Sequence, residues 1–240
     1  MNQIDTVTPT NSTSLNSVKQ LLAESWQFFK LHLKTLLLIS LVMMGPTIIN
    51  QILVAIFGKE PAPMIGLVIF IFSALSFITG TWGTIALITF IKSHKPKMTI
   101  TEAFNTNASL FWSFLWAGII VGVLTFIGMI ALIIPGIIVG VYFSLYTYTL
   151  VCDNIKGYDS AKKSMELIKG YWWAVFGRII VLILVFLAIM ILVIILFSPL
   201  LLLGDIIYAL AFVALALAIS PFSTIYFYQI YQNLKQIKKI

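Results

Sequence analysis

The side chains able to do chemistry in this 240-residue chain are few: two histidines, one cysteine and eight carboxylates. A zinc hydrolase of the His-Glu-x-x-His type needs two imidazoles one helical turn apart, with a glutamate between them as general base. His32 and His94 lie in separate linkers and form no such pair. Cys152 is alone, which excludes an intramolecular disulfide and a cysteine-rich metal site. No serine sits in a recognisable nucleophile motif with a base. The expectation is therefore a protein that is not an enzyme, with no cofactor and no metal.

Two other chemistries have candidates. Lys162, Lys163, Lys169 and Arg178 cluster in sequence and could grip the phosphates of lipid headgroups. The alternative is a small permease or exporter subunit. Its candidates are Asn50, Gln51 and Ser220, beside the helix-breaking Pro46 and Pro221, because unwound polar turns are where transporters coordinate a solute. No charged coupling residue lies within any apolar stretch near them, so these groups read first as interhelical hydrogen bonds.

The elements that must position these residues follow from composition. The chain is 60% apolar and only 10% charged, far from the roughly 25% charge of a soluble domain. A hydrocarbon core roughly 30 Å thick needs about 20 helical residues. Six stretches qualify or come close: Leu36 to Phe57, Met64 to Ile91, Leu110 to Ile134, Ile137 to Val151, Ala174 to Pro199 and Ile206 to Tyr231. The run from Phe111 to Cys152 carries no charge and as one helix would be about 63 Å long. It must fold back, and Pro135-Gly136 is where a turn is expected, with proline starting the next helix and glycine accepting φ > 0.

With six spans, fourteen of the fifteen lysines and arginines fall on one side, and only Lys59 falls on the other. The positive-inside rule then predicts a multi-pass protein of the plasma or inner membrane with both termini in the cytoplasm. That basic face suits anionic lipids. Lysines spread along membrane-proximal helices set topology more often than they bind nucleic acid, so no nucleic-acid partner is expected. A partner membrane protein or a homo-oligomer is compatible with the pattern. Residues 1–16 read as a disordered cytoplasmic tail and 17–240 as a single integral membrane domain.

Three segments share one design. Val18, Leu21, Leu22, Trp26 and Phe29 form an apolar stripe at helical spacing, as do Ile100, Ala103, Phe104, Ala108 and Phe111, and again Ala161, Met165, Ile168 and Trp172. Thr99 with Glu102 opens the second as a capping box. Each precedes two spans, with aromatic residues at the junction. The expected fold is all-α: three transmembrane hairpins, each preceded by an amphipathic interfacial helix lying at the headgroup level.

The stretches "IIPGIIVGVYFSLYTYTLVCDN", "GYDSAKKSMELIKGYWWAVFGRIIVL" and "SPFSTIYFYQIYQNLK" resemble the membrane domain found fused to some glycerophosphodiester phosphodiesterases and in standalone bacterial membrane proteins. The resemblance rests on Pro135 and Gly136, then Ala161, Ser164, Leu167 and Gly170, then Trp172, Trp173, Pro221 and Tyr231. It covers residues 132–240 directly and 17–131 through the repeat. The linker keeps Asp153 and Gly157, whereas "YQNLKQ" departs from the family's Tyr-Asp-Leu-Arg. The hydrolytic domain of the fused proteins, with its His, Glu and Asp metal set, has no counterpart here, so the resemblance implies a membrane module and not the phosphodiesterase reaction.

Overall fold

The computed structural model describes residues 15–57, 63–93, 98–197 and 205–239. Lys59, His94, Lys95, Lys97 and residues 1–14, 58–62 and 198–204 lie outside the described residues. Every regular element among the described residues is helical. The α-helices in chain order are α1 (Val18–Leu31), α2 (Leu33–Phe57), α3 (Pro63–Ser93), α4 (Ile100–Thr106), α5 (Phe111–Ala131), α6 (Ile133–Phe143), α7 (Tyr146–Cys152), α8 (Tyr158–Ile168), α9 (Trp172–Phe197) and α10 (Asp205–Lys238), with a 3-10 turn at Ala108–Leu110 before α5. Six segments are long and apolar enough to cross a membrane, the mark of a multi-pass membrane protein: α2, α3, α5, α6 together with α7, α9, and α10 from Val213 onward.

Local chemistry explains the starts of the short helices. The Ser17 hydroxyl accepts from the Gln20 N–H at 3.2 Å and opens α1. The capping box of α4 is complete: Thr99 Oγ1 accepts from the Glu102 N–H at 3.3 Å, and Glu102 Oε2 accepts from the Thr99 N–H at 2.9 Å. α8 starts instead at Gly157, whose φ of 60° suits glycine and whose N–H donates to Ser113 Oγ at 2.8 Å.

The reversal between α5 and α6 differs from the sequence expectation. The chain breaks at Leu132, whose φ of −170° and ψ of 145° are extended. Pro135 and Gly136 lie three and four residues further on, inside the first turn of α6. A proline costs nothing there, because the first N–H groups of a helix have no intrahelical acceptor. Gly136 does not have positive φ. Its role is close approach: a Cβ at Gly136 would lie 2.3 Å from Met129 Cγ and 2.8 Å from Met129 N.

The two internal prolines are accommodated by neighbours. Near Pro46 the Met43 carbonyl accepts the Thr79 hydroxyl at 3.0 Å. Gly83 makes room for Met43, since a Cβ there would lie 2.3 Å from Met43 Cγ. Near Pro221, the Ser220 carbonyl accepts the Ser223 and Thr224 hydroxyls, both at 2.9 Å, and the Thr224 carbonyl accepts Tyr148 OH at 3.1 Å.

Packing is concentrated at one end. Leu21, Leu36, Ile88, Leu150, Leu167 and Tyr231 are fully or almost fully buried, and all sit in the short helices or in the halves of the spans that join them. The far halves expose apolar side chains such as Ile56, Phe70, Ile130 and Ile195. Exposed apolar surface of this extent suits lipid rather than water. The Asn16 N–H donates to Asn233 Oδ1 at 2.8 Å, which ties the residues just ahead of α1 to α10 at the packed end. That end also carries the described lysines and is called the basic end below. α10 packs chiefly on α2 and α1, and touches α9 more sparingly.

Candidate functional site

The candidate site surrounds α8. Its inward face, Ser160, Ala161, Ser164, Leu167 and Ile168, is buried against α5, α6, α7 and α10. The apolar stripe of this helix therefore meets protein. α1 likewise buries Leu21, Ser25 and Phe29, packing mainly along α10. The outward face of α8 holds the basic residues.

Ser164 does the polar work of the buried face. The span formed by α6 and α7 is interrupted at Ser144–Leu145, where a helical ladder would otherwise continue. The Leu145 N–H donates to Ser164 Oγ at 3.2 Å, and the Ser164 hydroxyl donates to the Tyr142 carbonyl at 2.8 Å. One side chain thus satisfies both strands of the break. The Thr149 hydroxyl adds a bond to the Ser160 carbonyl at 2.8 Å. Gly170, with φ of 90°, turns the chain out of α8, and Trp172 Nε1 donates to the Ile138 carbonyl at 3.3 Å. Trp173 is largely exposed. Tyr231 is fully buried and stacks on Tyr148 at 6.1 Å between ring centroids.

The four cationic candidates separate. Lys162 and Lys169 are exposed. Lys163 Nζ lies 3.6 Å from Glu166 Oε2. Arg178 is turned inward: Nη1 donates to the Ala174 carbonyl at 2.7 Å, Nη2 to the Leu15 carbonyl at 3.0 Å and to the Asn16 carbonyl at 2.5 Å, and Nε to Asn16 at 3.2 Å. Leu15 and Asn16 consequently pack with the membrane domain, ahead of residue 17. Exposed cations at the basic end also include Lys19, Lys30, Lys34 and Lys156, with Lys30 Nζ 5.7 Å from the Trp26 ring.

Sequence reasoning missed a second group of lysines that close the bundle. Lys235 Nζ is 2.5 Å from Asp153 Oδ1 and donates to Tyr231 OH at 3.3 Å. Lys92 Nζ donates to the Cys152 carbonyl at the C-terminus of α7 at 2.8 Å. Lys238 Nζ donates to the Glu166 carbonyl, and to that of Lys169 at 2.9 Å, at the C-terminus of α8. Cations at helix C-termini meet unpaired carbonyls and the negative end of the dipole. On α1, burial raises the Glu24 carboxyl above its usual range.

The transport set is not brought together. Asn50 Nδ2 donates to Ser73 Oγ of α3 at 3.0 Å, while the neighbouring Gln51 is exposed. The Ser220 carbonyl is taken by its own helix. Among the described residues, no hydrogen bond links Asn50 or Gln51 to Ser220, and no group of three or more His, Cys, Asp or Glu could hold a metal ion. Comparison with family models, with characterised proteins and with solved structures finds no match to this chain.

Proposed function

We propose that this protein is a non-catalytic membrane module whose basic end lies at the cytoplasmic surface and engages anionic lipid headgroups. Three features support the reading. The lysine asymmetry favours a cytoplasmic position for that end under the positive-inside rule. The residues shared with the membrane domain of the glycerophosphodiester phosphodiesterase group are mostly scaffold: Ser164 bridges a helix break, Gly170 turns the chain, and Tyr231 packs in the core. The three repeats of a short helix before two spans then form a scaffold that presents lysines outward, with exposed Trp112, Trp116 and Trp173 suited to the headgroup level.

The observation that carries the reading is the division of labour among cations. Lys163, Arg178, Lys235, Lys238 and Lys92 are engaged within the protein, whereas Lys156, Lys162 and Lys169, on and around α8, point to solvent. Each well-placed cation near an anionic surface contributes about 1 kcal/mol, so neutralising three removes about 3 kcal/mol, roughly a hundredfold in affinity at low ionic strength. The triple variant Lys156→Gln/Lys162→Gln/Lys169→Gln should retain far less phosphatidylglycerol than wild type in native mass spectrometry of detergent-extracted protein. The difference should shrink as salt is added. Equal lipid retention by the two proteins would remove the case for this face.

A further inference from the structure

We infer that Arg178 is a phosphate-binding position held shut by the Leu15–Asn16 segment, which acts as a displaceable strap. The inference deepens the lipid reading above and rests on it for the identity of the surface. Arg178 lies six residues into α9, about 9 Å along the helix from Trp172, within snorkelling distance of the headgroup layer. Among the described residues no carboxylate pairs with it. Its fork is filled instead by the carbonyls of Leu15 and Asn16, two consecutive residues of non-helical backbone.

Carbonyl dipoles satisfy the donors but do not neutralise the charge. A guanidinium fork matches phosphate geometry with two parallel charge-assisted bonds, which are stronger than bonds to neutral acceptors. A partly desolvated cation with no acidic partner among the described residues is therefore a position at which phosphate competes with the carbonyls now in place.

The occupant is also lightly held. The strap is tied to α10 by the Asn16 N–H to Asn233 Oδ1 bond, and the Leu15 side chain rests against the core edge. α1 starts at Val18 with its own cap from Ser17. Lifting residues 15 and 16 therefore breaks no helical hydrogen bond of α1 beyond that cap. Strap-bound and phosphate-bound states exclude each other, so phosphate shifts the population toward a released N-terminal segment. The phosphate comes either from an anionic lipid or from solution, and the test separates these.

The test reads strap release directly in the full chain. Leu15→Cys is introduced with Cys152→Ser, and maleimide labelling is timed in three preparations: phosphatidylcholine vesicles, the same lipid mixed with phosphatidylglycerol, and phosphatidylcholine with inorganic phosphate added. Labelling is expected to be several-fold faster with phosphatidylglycerol. Acceleration by inorganic phosphate as well would identify the free anion as sufficient. In Arg178→Gln the strap should label fast everywhere, with no lipid dependence. Should that variant not fold, Asn233→Leu loosens the strap without touching Arg178 and should raise the rate in phosphatidylcholine alone. Equal rates in all three preparations would overturn the inference, as would lipid dependence that survives Arg178→Gln or an unchanged rate in Asn233→Leu. Lipid retention that falls in the lysine triple variant, together with labelling of the chain with native lysines that is the same in all three preparations, would overturn the strap and leave the lipid-binding face intact.

Discussion

Ser164→Ala offers the sharpest check on how the broken span is held. The substitution removes one hydroxyl and leaves two backbone groups, the Leu145 N–H and the Tyr142 carbonyl, facing a fully buried position. Side-chain hydrogen bonds between membrane helices contribute only about 0.6 kcal/mol on average when both partners are considered. A single truncation differs from that case, because the surviving groups keep their desolvation penalty of about 1 to 3 kcal/mol each. Two such groups, one of them a carbonyl with a second lone pair to redirect, give an expected loss of about 2 to 4 kcal/mol.

The assay is reversible unfolding in mixed micelles, with Ser223→Ala as the reference. The Ser223 hydroxyl donates to the Ser220 carbonyl within its own helix, so its removal should cost less than about 0.5 kcal/mol. Amide exchange adds a local reading, since the Leu145 N–H should lose protection in Ser164→Ala while the amides of α9 keep theirs. If Ser164→Ala is no less stable than Ser223→Ala, the hydroxyl does not bridge the break and the account of this motif position fails.

Two further predictions concern packing and charge. Gly136→Ala forces a methyl into Met129, including its backbone nitrogen, and should cost about 1 to 3 kcal/mol; Gly122→Ala, where nothing lies within 4 Å, should be neutral or stabilising by up to about 1 kcal/mol, both measured by the same unfolding titration. Asp153→Asn should cost about 1 to 2 kcal/mol, because Lys235 keeps partial solvent access once its partner is lost, and the exchange Asp153→Lys/Lys235→Asp should recover part of that loss in a double-mutant cycle.

How far these features could be read from the sequence depends on the distance over which each is encoded. The spans are local: length and apolarity alone define α2, α3, α5 and α9 to within a few residues. The capping box at Thr99 and Glu102 is encoded in four residues and is present as expected. Pro135-Gly136 was legible as a reversal but not in its mechanics, since a Pro-Gly pair serves equally as a turn or as the first turn of a helix under a close neighbour. The break at Ser144–Leu145 carries neither glycine nor proline, so nothing local marks it; its signal sits in Ser164, on another helix. The partner of Arg178 is further still, at 162 residues' separation, and a backbone carbonyl leaves no trace in residue type.

The placement of α8 has a consequence for separating fold from function. Its buried face carries Ser160, Ala161, Ser164, Leu167 and Ile168, and its exposed face carries Lys162 and Lys169. Substitutions on the first face act through stability, because every group there is packed or bonded within the bundle. Substitutions on the second leave the packing untouched and act through charge alone. The helix thus keeps its packing residues and its free charges apart by about half a turn. Arg178 belongs to both classes, since its donors hold the Leu15 and Asn16 carbonyls and its charge has no acidic partner among the described residues. For that reason Arg178→Gln cannot by itself distinguish loss of a ligand from loss of a fold. Asn233, which touches the strap but not the guanidinium, is the position from which the two can be told apart.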